Sequence, residues 1–452
     1  MTNKRYYYFI QKHFVSFVFW VTLLILLTIM LVLKPPYAAY VDAGTSINMI
    51  KTGNYTYFQP MIYTVFLGIL TFGGNTLPGS LLSWNLGWLL VLIVTDIIVS
   101  LTVAYCAKKL NSEIFKIRKR NILISFGLLL VINPYFLYYS TNVTKDILAA
   151  AILMLLIITI LEICVNKAEK IPTKLLMQFI IFSLLAAQIR KNFVYALVIL
   201  YILFLIVNRK KYLKQLLISF VVIILGSLCF SLAWNFGFHA TEDKITESMA
   251  VPFQTVAKTM SNPKVQESSE LKYFESLAPR EKWSKGYIYD SYTKSRDYIG
   301  LNYLNNQSLW NKKEFYSNWI KLGLQNPGDY IAAIALQTGE YWNPLQQSTS
   351  QRMENSPKAL KVSPILVNFG TYLPFYLLLF LSIFVFIGKK DNKMILILPL
   401  ILPWLIWLSL LAGSLEAQVR LELPIYACLS ILLCYFLKKK NKTINLKFHK
   451  KF

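Results

Sequence analysis

A chain of 452 residues that is 56% apolar and only 15% charged does not read as a water-soluble protein, since soluble domains carry about 25% charged residues. A formal charge of +25 would point a soluble protein toward nucleic acid, but here Lys and Arg sit in short segments between apolar runs, where they anchor helices at a membrane surface. The five cysteines (Cys106, Cys164, Cys229, Cys428, Cys434) and the histidines His13, His239 and His449 show neither disulfide nor metal-ligand spacing.

In chain order, residues 14–33 form an uncharged apolar run long enough to cross a bilayer. Lys34-Pro35-Pro36 follows it instead of a small-residue cleavage site, so it reads as a retained helix and not a signal peptide. Residues 60–74, PMIYTVFLGILTFGG, are too short to span and predict an interfacial or re-entrant helix within a first outside loop, 34–81. Spans are predicted at 82–105, 122–140, 146–165, 175–189, 193–208 and 214–235. Residues 236–364 carry Trp283, Trp310, Trp319, Trp342 and many tyrosines, which predicts a mostly helical loop domain, with Pro327-Gly328 separating two of its helices. Three more spans, 365–387, 394–412 and 422–437, precede a basic tail, 438–452.

The expectation is an all-α polytopic membrane protein with about ten transmembrane helices. Residues 1–235 make an N-terminal membrane domain of seven spans, 236–364 an extracytoplasmic domain, and 365–437 a C-terminal membrane part. With both termini cytoplasmic, 26 basic residues fall on the inner side and six in the short outer loops, as the positive-inside rule asks. That bias predicts a multi-pass protein of the plasma membrane.

Ionisable groups at membrane depth are expensive and therefore candidates for function. Asp42 follows the first span; it is either a solvated acid near the helix that starts at Thr45 or a reactive group. Lys145-Asp146 opens the fourth span, where Asp146 suits a helix N-terminus and Thr144 an N-cap. The functional reading lets Lys145 meet a phosphate while Asp146 orients it or a neighbour. Gln188, Arg190, Lys191 and Asn192 form a polar turn between apolar helices, able to contact lipid head groups or to bind a phosphate. Glu416 and Arg420 are four apart and suited to pair on one helix face, and Glu422 enters the membrane edge. Asp96 lies deep in the second span. The large loop adds Pro252-Phe253-Gln254 and Trp342-Asn343-Pro344.

This layout resembles the GT-C superfamily of membrane glycosyltransferases. The residues that carry the resemblance are Asp42 after the first helix, the Pro-led segment Phe58-Gln59-Pro60-Met61-Ile62-Tyr63, and Gly73-Gly74-Asn75. More narrowly, Lys145-Asp146, Arg190-Lys191-Asn192, Pro252-Phe253-Gln254 and Trp342-Asn343-Pro344 are similar to an uncharacterised bacterial branch of polytopic proteins. Two positions depart from the pattern: Gln59 stands where His would precede the Pro, and Lys191 interrupts an Arg-Asn pair.

The resemblance implies transfer of a sugar from a polyprenyl-phosphate donor to a cell-envelope glycan or similar acceptor. Asp42 would be the general base or a ligand for a divalent metal. Lys145, Arg190, Lys191 and Arg420 would bind the donor phosphate, with Asp146, Gln188, Asn192, Gln254, Glu416 and Glu422 in support. No nucleotide or redox cofactor is implied, and no Gly-rich nucleotide fingerprint is present. A polysaccharide polymerase or ligase of the envelope would share the outer-face arginines. A lipid-linked glycan transporter or flippase would place its polar residues nearer the bilayer midplane.

Overall fold

The structure, a computed structural model, describes residues 13–32, 41–57, 59–74, 86–132, 134–166, 168–208, 211–241, 250–286, 311–343, 364–387, 393–413 and 419–448. Among the described residues every regular element is helical, apart from a single parallel bridge between Thr56 and Thr241. The chain divides into two compact units. Unit 1 holds Met1–Thr241, Ser356–Trp407 and Val419–Phe452; unit 2 holds Glu242–Asn355 and Leu408–Gln418.

Unit 1 contains α1 (Phe14–Val32), α2 (Val41–Thr52), α3 (Met61–Leu70), α4 (Leu86–Leu110), α5 (Lys119–Ile132), α6 (Pro134–Ser140), α7 (Lys145–Val165), α8 (Thr173–Ile189), α9 (Lys191–Asn208) and α10 (Leu213–Leu232). A π-helical turn, Ala233–Gly237, extends α10. By length and composition α1, α4, α7, α9 and α10 with its extension can each cross a membrane. Five further apolar helical stretches are shorter: Met61–Leu70, Thr173–Ile189, Tyr372–Ile387, Ile397–Leu411 and Leu421–Phe436. The protein is therefore an all-α membrane protein with several membrane-crossing helices.

Burial separates the roles of these helices. A helix that is apolar all round belongs in the middle of a bundle, and α7 is 83% buried over its most apolar stretch, against 17% for α10. The exposed side of α10 carries Leu217, Ile218, Val221, Val222, Leu225, Leu228 and Leu232. An apolar surface of that extent is suited to lipid, not water.

The predicted span 122–140 is covered by α5 and α6. α5 is described to Ile132 and α6 from Pro134, with Asn133 between them outside the described residues. The segment 60–74 yields α3, ten residues long. Its rise of about 15 Å is half the thickness of a hydrocarbon core. The helix ends at Leu70 with Thr71 as C-cap, and Phe72, Gly73 and Gly74 then turn through positive φ (50°, 76° and 83°), a conformation the two glycines adopt without steric cost.

Parallel packing sets the register of the core. On α4 and α7, Lys109 Nζ reaches both oxygens of Glu162 at 2.8 and 2.9 Å, and Cys106 Sγ lies 3.7 Å from the Met154 carbonyl oxygen. Unit 1 also contains α16 (Pro364–Ile387), most of α17 (Lys393–Gly413) and α18 (Val419–Phe448). On α18, Cys428 Sγ lies 3.9 Å from the Leu153 carbonyl, and Tyr435 is within electrostatic reach of Cys164, so α18 runs parallel to α7.

Unit 2 contains α11 (Ala250–Ser261), α12 (Ser269–Leu277), α13 (Arg280–Gly286), α14 (Lys312–Gln325) and α15 (Pro327–Thr338). Ser268 caps α12, its hydroxyl accepting from Leu271 N, and Asn311 caps α14. Pro327 occupies the first turn of α15, where its missing N–H costs nothing. Phe253, Val256, Met260, Phe274, Trp283 and Phe315 form an aromatic-rich core. Asn262 donates to both oxygens of Asp329, at 3.1 and 2.9 Å, and ties α15 to the end of α11. The Gln325 amide donates to Glu270 at 3.0 Å and holds that carboxyl below the usual carboxylate range.

The α14–α15 corner depends on Gly323. A Cβ there would come within 2.6 Å of the Tyr330 ring. That ring is held by the Tyr330 hydroxyl, which donates to the Trp319 carbonyl at 2.8 Å, and by the neighbouring indole of Trp319. Gly323→Ala is expected to destabilise unit 2 by about 1–3 kcal/mol, more than the gain in helix propensity, up to about 1 kcal/mol, returns. Limited proteolysis of the full chain in detergent checks this. Slower cleavage within 250–343 would show that the ring moves aside.

Candidate functional site

Four segments remote in sequence meet in unit 1, each at the start of a helix. Asp42 is in the first turn of α2, and Gln59 directly precedes Pro60, the N-cap of α3. Lys145 and Asp146 open α7, and Arg190 is the single residue between α8 and α9.

Local chemistry explains the start of α7. Thr144 has extended backbone and its hydroxyl accepts from Asp146 N at 3.3 Å, while donating to Asp146 Oδ2 at 3.0 Å. The N-cap therefore also aims the carboxylate. Asp146 is wholly buried and pairs with the guanidinium of Arg190, itself 8% exposed. Arg190 leaves the helical path with φ −147° and ψ 121°, and that extended residue separates α8 from α9.

Lys145 makes the second pair. Its Nζ lies 3.4 Å from Asp42 Oδ2, with each side chain 13% exposed, and donates to Gln59 Oε1 at 2.9 Å. The two pairs are joined through the Lys145–Asp146 peptide bond. Two acids and two bases balance, so any anion drawn to the cluster meets cations that already have acidic neighbours.

The remaining sequence-predicted residues divide by place. Gln188 and Asn192 are half-buried on either side of Arg190, and Lys191 is exposed at the first position of α9. Gln254 is buried on α11 in unit 2. Glu416 lies outside the described residues; Arg420 is in the first turn of α18, and its side chain lies outside them too. Phe58, Asn75 and Pro344 also lie outside the described residues.

Glu422 and Asp96 are fully buried, and neither carboxylate hydrogen-bonds to any described residue. No three Asp, Glu, His or Cys side chains gather as metal ligands among the described residues.

Gln59 was singled out in the sequence only as a departure from a pattern. Its contact with Lys145 spans 86 positions, so no local signal could reveal it.

Residues 52–277, half of the chain, match DUF6020, a family of unknown function. The match includes Gln59, Lys145, Asp146, Arg190 and Gln254, whereas Asp42, Arg420 and Glu422 fall outside it. No curated protein and no solved structure matches the chain. With half its length matched, and three of the four site segments inside that half, the chain belongs to the DUF6020 family.

Proposed function

We propose that the protein is a membrane glycosyltransferase of GT-C type, moving a sugar from a polyprenyl-phosphate donor to an envelope glycan or similar acceptor. The observation that supports this reading most is the junction of Asp42 with Lys145 and of Asp146 with Arg190, at the starts of separate helices. In this proposal the chain crosses the plasma membrane ten times with both termini in the cytoplasm. The shorter apolar helices complete their spans with flanking residues, and the junction faces outward.

The chemistry follows from the charges. Asp42 accepts the proton of the acceptor hydroxyl as its oxygen attacks the anomeric carbon. A new C–O bond forms, the bond from that carbon to the phosphate oxygen breaks, and the electron pair leaves with the lipid phosphate. Lys145 and Arg190 meet the charge that develops there, in a site largely closed to water. Asp146 holds the Arg190 fork in place through a charge-assisted pair. Lys191, Arg420, Gln188, Asn192, Gln254, Glu416 and Glu422 are kept as supporting candidates for donor or acceptor binding.

A test uses the full chain in lipid nanodiscs, with a radiolabelled polyprenyl-phosphate sugar and a short glycan acceptor. The expected result is labelled glycan, reduced about 100-fold by Lys145→Gln. Turnover that proceeds from nucleotide sugars and never from lipid-linked ones would overturn the reading. A second reading, a carrier for lipid-linked glycans, draws support from Asp96 and Glu422, since buried intramembrane carboxyls mark transport and proton pathways. It predicts movement of labelled lipid across proteoliposomes that stops in Asp96→Asn.

A further inference from the structure

We infer that Gln59 is a substrate-binding residue whose Nε2 group donates to a phosphate oxygen held beside the Lys145 ammonium. The ligand class rests on the polyprenyl-phosphate reading above; the geometry does not.

The orientation of the amide follows from chemistry. An ammonium has donors only, so the Gln59 atom 2.9 Å from Lys145 Nζ must be the carbonyl Oε1. Nε2 is then fixed on the other arm of the fork. The side chain is 1% exposed, and no described residue accepts from Nε2. A buried donor without an acceptor is costly, and native interiors rarely keep one.

Hydrogen bonds hold residues 55–57 just before Gln59, and a proline follows it. Before it, Tyr57 N donates to the Thr241 carbonyl at 3.1 Å, Thr241 N donates to the Tyr55 carbonyl at 2.9 Å, and Trp234 Nε1 donates to the Thr56 carbonyl at 3.3 Å. After it, Pro60 restricts Gln59 to extended backbone and starts α3. The amide is therefore presented from the start of α3. An oxygen that accepts from Nε2 lies within a few ångströms of the Lys145 ammonium, where a negatively charged oxygen gains most. A phosphate offers such an oxygen to the amide while another faces the ammonium. Gln59 would also hold Lys145 through Oε1, so one side chain orients the cation and contacts its anion.

The test compares farnesyl phosphate, farnesol and inorganic phosphate as probes, binding to the full chain in nanodiscs of uncharged lipid. Wild-type protein is expected to bind farnesyl phosphate in preference to farnesol, with inorganic phosphate competing if the phosphate alone is recognised. Gln59→Met keeps the length of the side chain without its polar atoms. It is expected to weaken farnesyl phosphate binding about 10-fold or more, leaving farnesol unchanged. Gln59→Glu is nearly isosteric, and its ionised carboxylate only accepts. Its binding relative to wild type should be the weakest near neutral pH and recover as pH falls toward the carboxyl range, where the group regains a donor. A purely structural role would not move that ratio with pH.

Undiminished binding in Gln59→Met, at normal thermal stability, would overturn the assignment, as would a wild type indifferent to the phosphate. Phosphate binding that is lost in Gln59→Met, in a wild type that transfers no sugar from any lipid-linked donor, would support Gln59 and overturn the glycosyltransfer reading alone.

Discussion

Asp146→Ala is expected to lower the stability of the detergent-solubilised protein by about 3–5 kcal/mol. The substitution leaves the Arg190 guanidinium buried with its acid removed. It also takes the acceptor from the Thr144 hydroxyl and the carboxylate from the first turn of α7, worth about 0.3–1 kcal/mol at a helix start. Arg190→Ala should cost a similar amount, since Asp146 is wholly buried. Asp146→Asn keeps a side-chain acceptor for Thr144 and should fall between wild type and Asp146→Ala. The informative variant is the double change Asp146→Leu with Arg190→Met. Replacing both partners of a buried pair by apolar groups of similar volume is often nearly neutral. Thermal unfolding of wild type, the two alanine variants and the double variant should therefore show two unstable single variants and a double variant close to wild type. Single variants within 0.5 kcal/mol of wild type would mean that the pair carries no structural weight. If the double variant is stable yet inactive, the pair is retained for its charges.

Asp42→Asn should cut sugar transfer by about 100- to 10,000-fold, the range expected when a general base is removed. The effect on folding should be small by comparison. Asn keeps a carbonyl oxygen for Lys145, and both side chains are 13% exposed, so the ammonium is not stranded in a dry interior. Two measurements separate the outcomes: initial rates with the lipid-linked donor in nanodiscs, and the surface glycan of cells expressing the variant at normal level. A missing sugar with normal protein level is the expected result. An unchanged rate would remove Asp42 from the chemistry and leave it as a counter-ion for Lys145. Asp42→Glu should recover part of the rate if the carboxylate acts as a base, because it restores the charge with a displaced oxygen.

The membrane class was legible because it needs only run length and composition, and α1, α4 and α7 carry both in full. At the site, Thr144-Lys145-Asp146 could be read locally as a cap followed by an acid in the first turn, and that part is local in the fold as well. The partners could not. Asp42 is more than a hundred positions from Lys145, and Arg190 is joined to Asp146 by the packing of α7 against α8. A reading of charges along the chain assigns Arg190 and Lys145 to a phosphate and lets Asp146 orient Lys145 or a neighbour; the fold pairs Asp146 with Arg190 and Asp42 with Lys145. Gln59 shows the same limit from the other side, since a residue that merely replaced an expected His proves to hold the central ammonium.

The placement of all four site segments at helix starts carries an electrostatic consequence. Helix starts present unpaired backbone N–H groups, equivalent to about half a positive charge each, and α2, α3, α7 and α9 begin at this junction. α8 ends at Ile189, one residue before α9 begins, so its last carbonyls oppose the start of α9, and the backbone field at the junction rests on α2, α3 and α7 beside the paired side chains. That contribution has no pKa, so changes of pH and charge-neutral substitutions leave it intact, and it fades over the first turn of each helix. An anion seated beside Lys145 would thus feel this fixed field together with that of the ammonium.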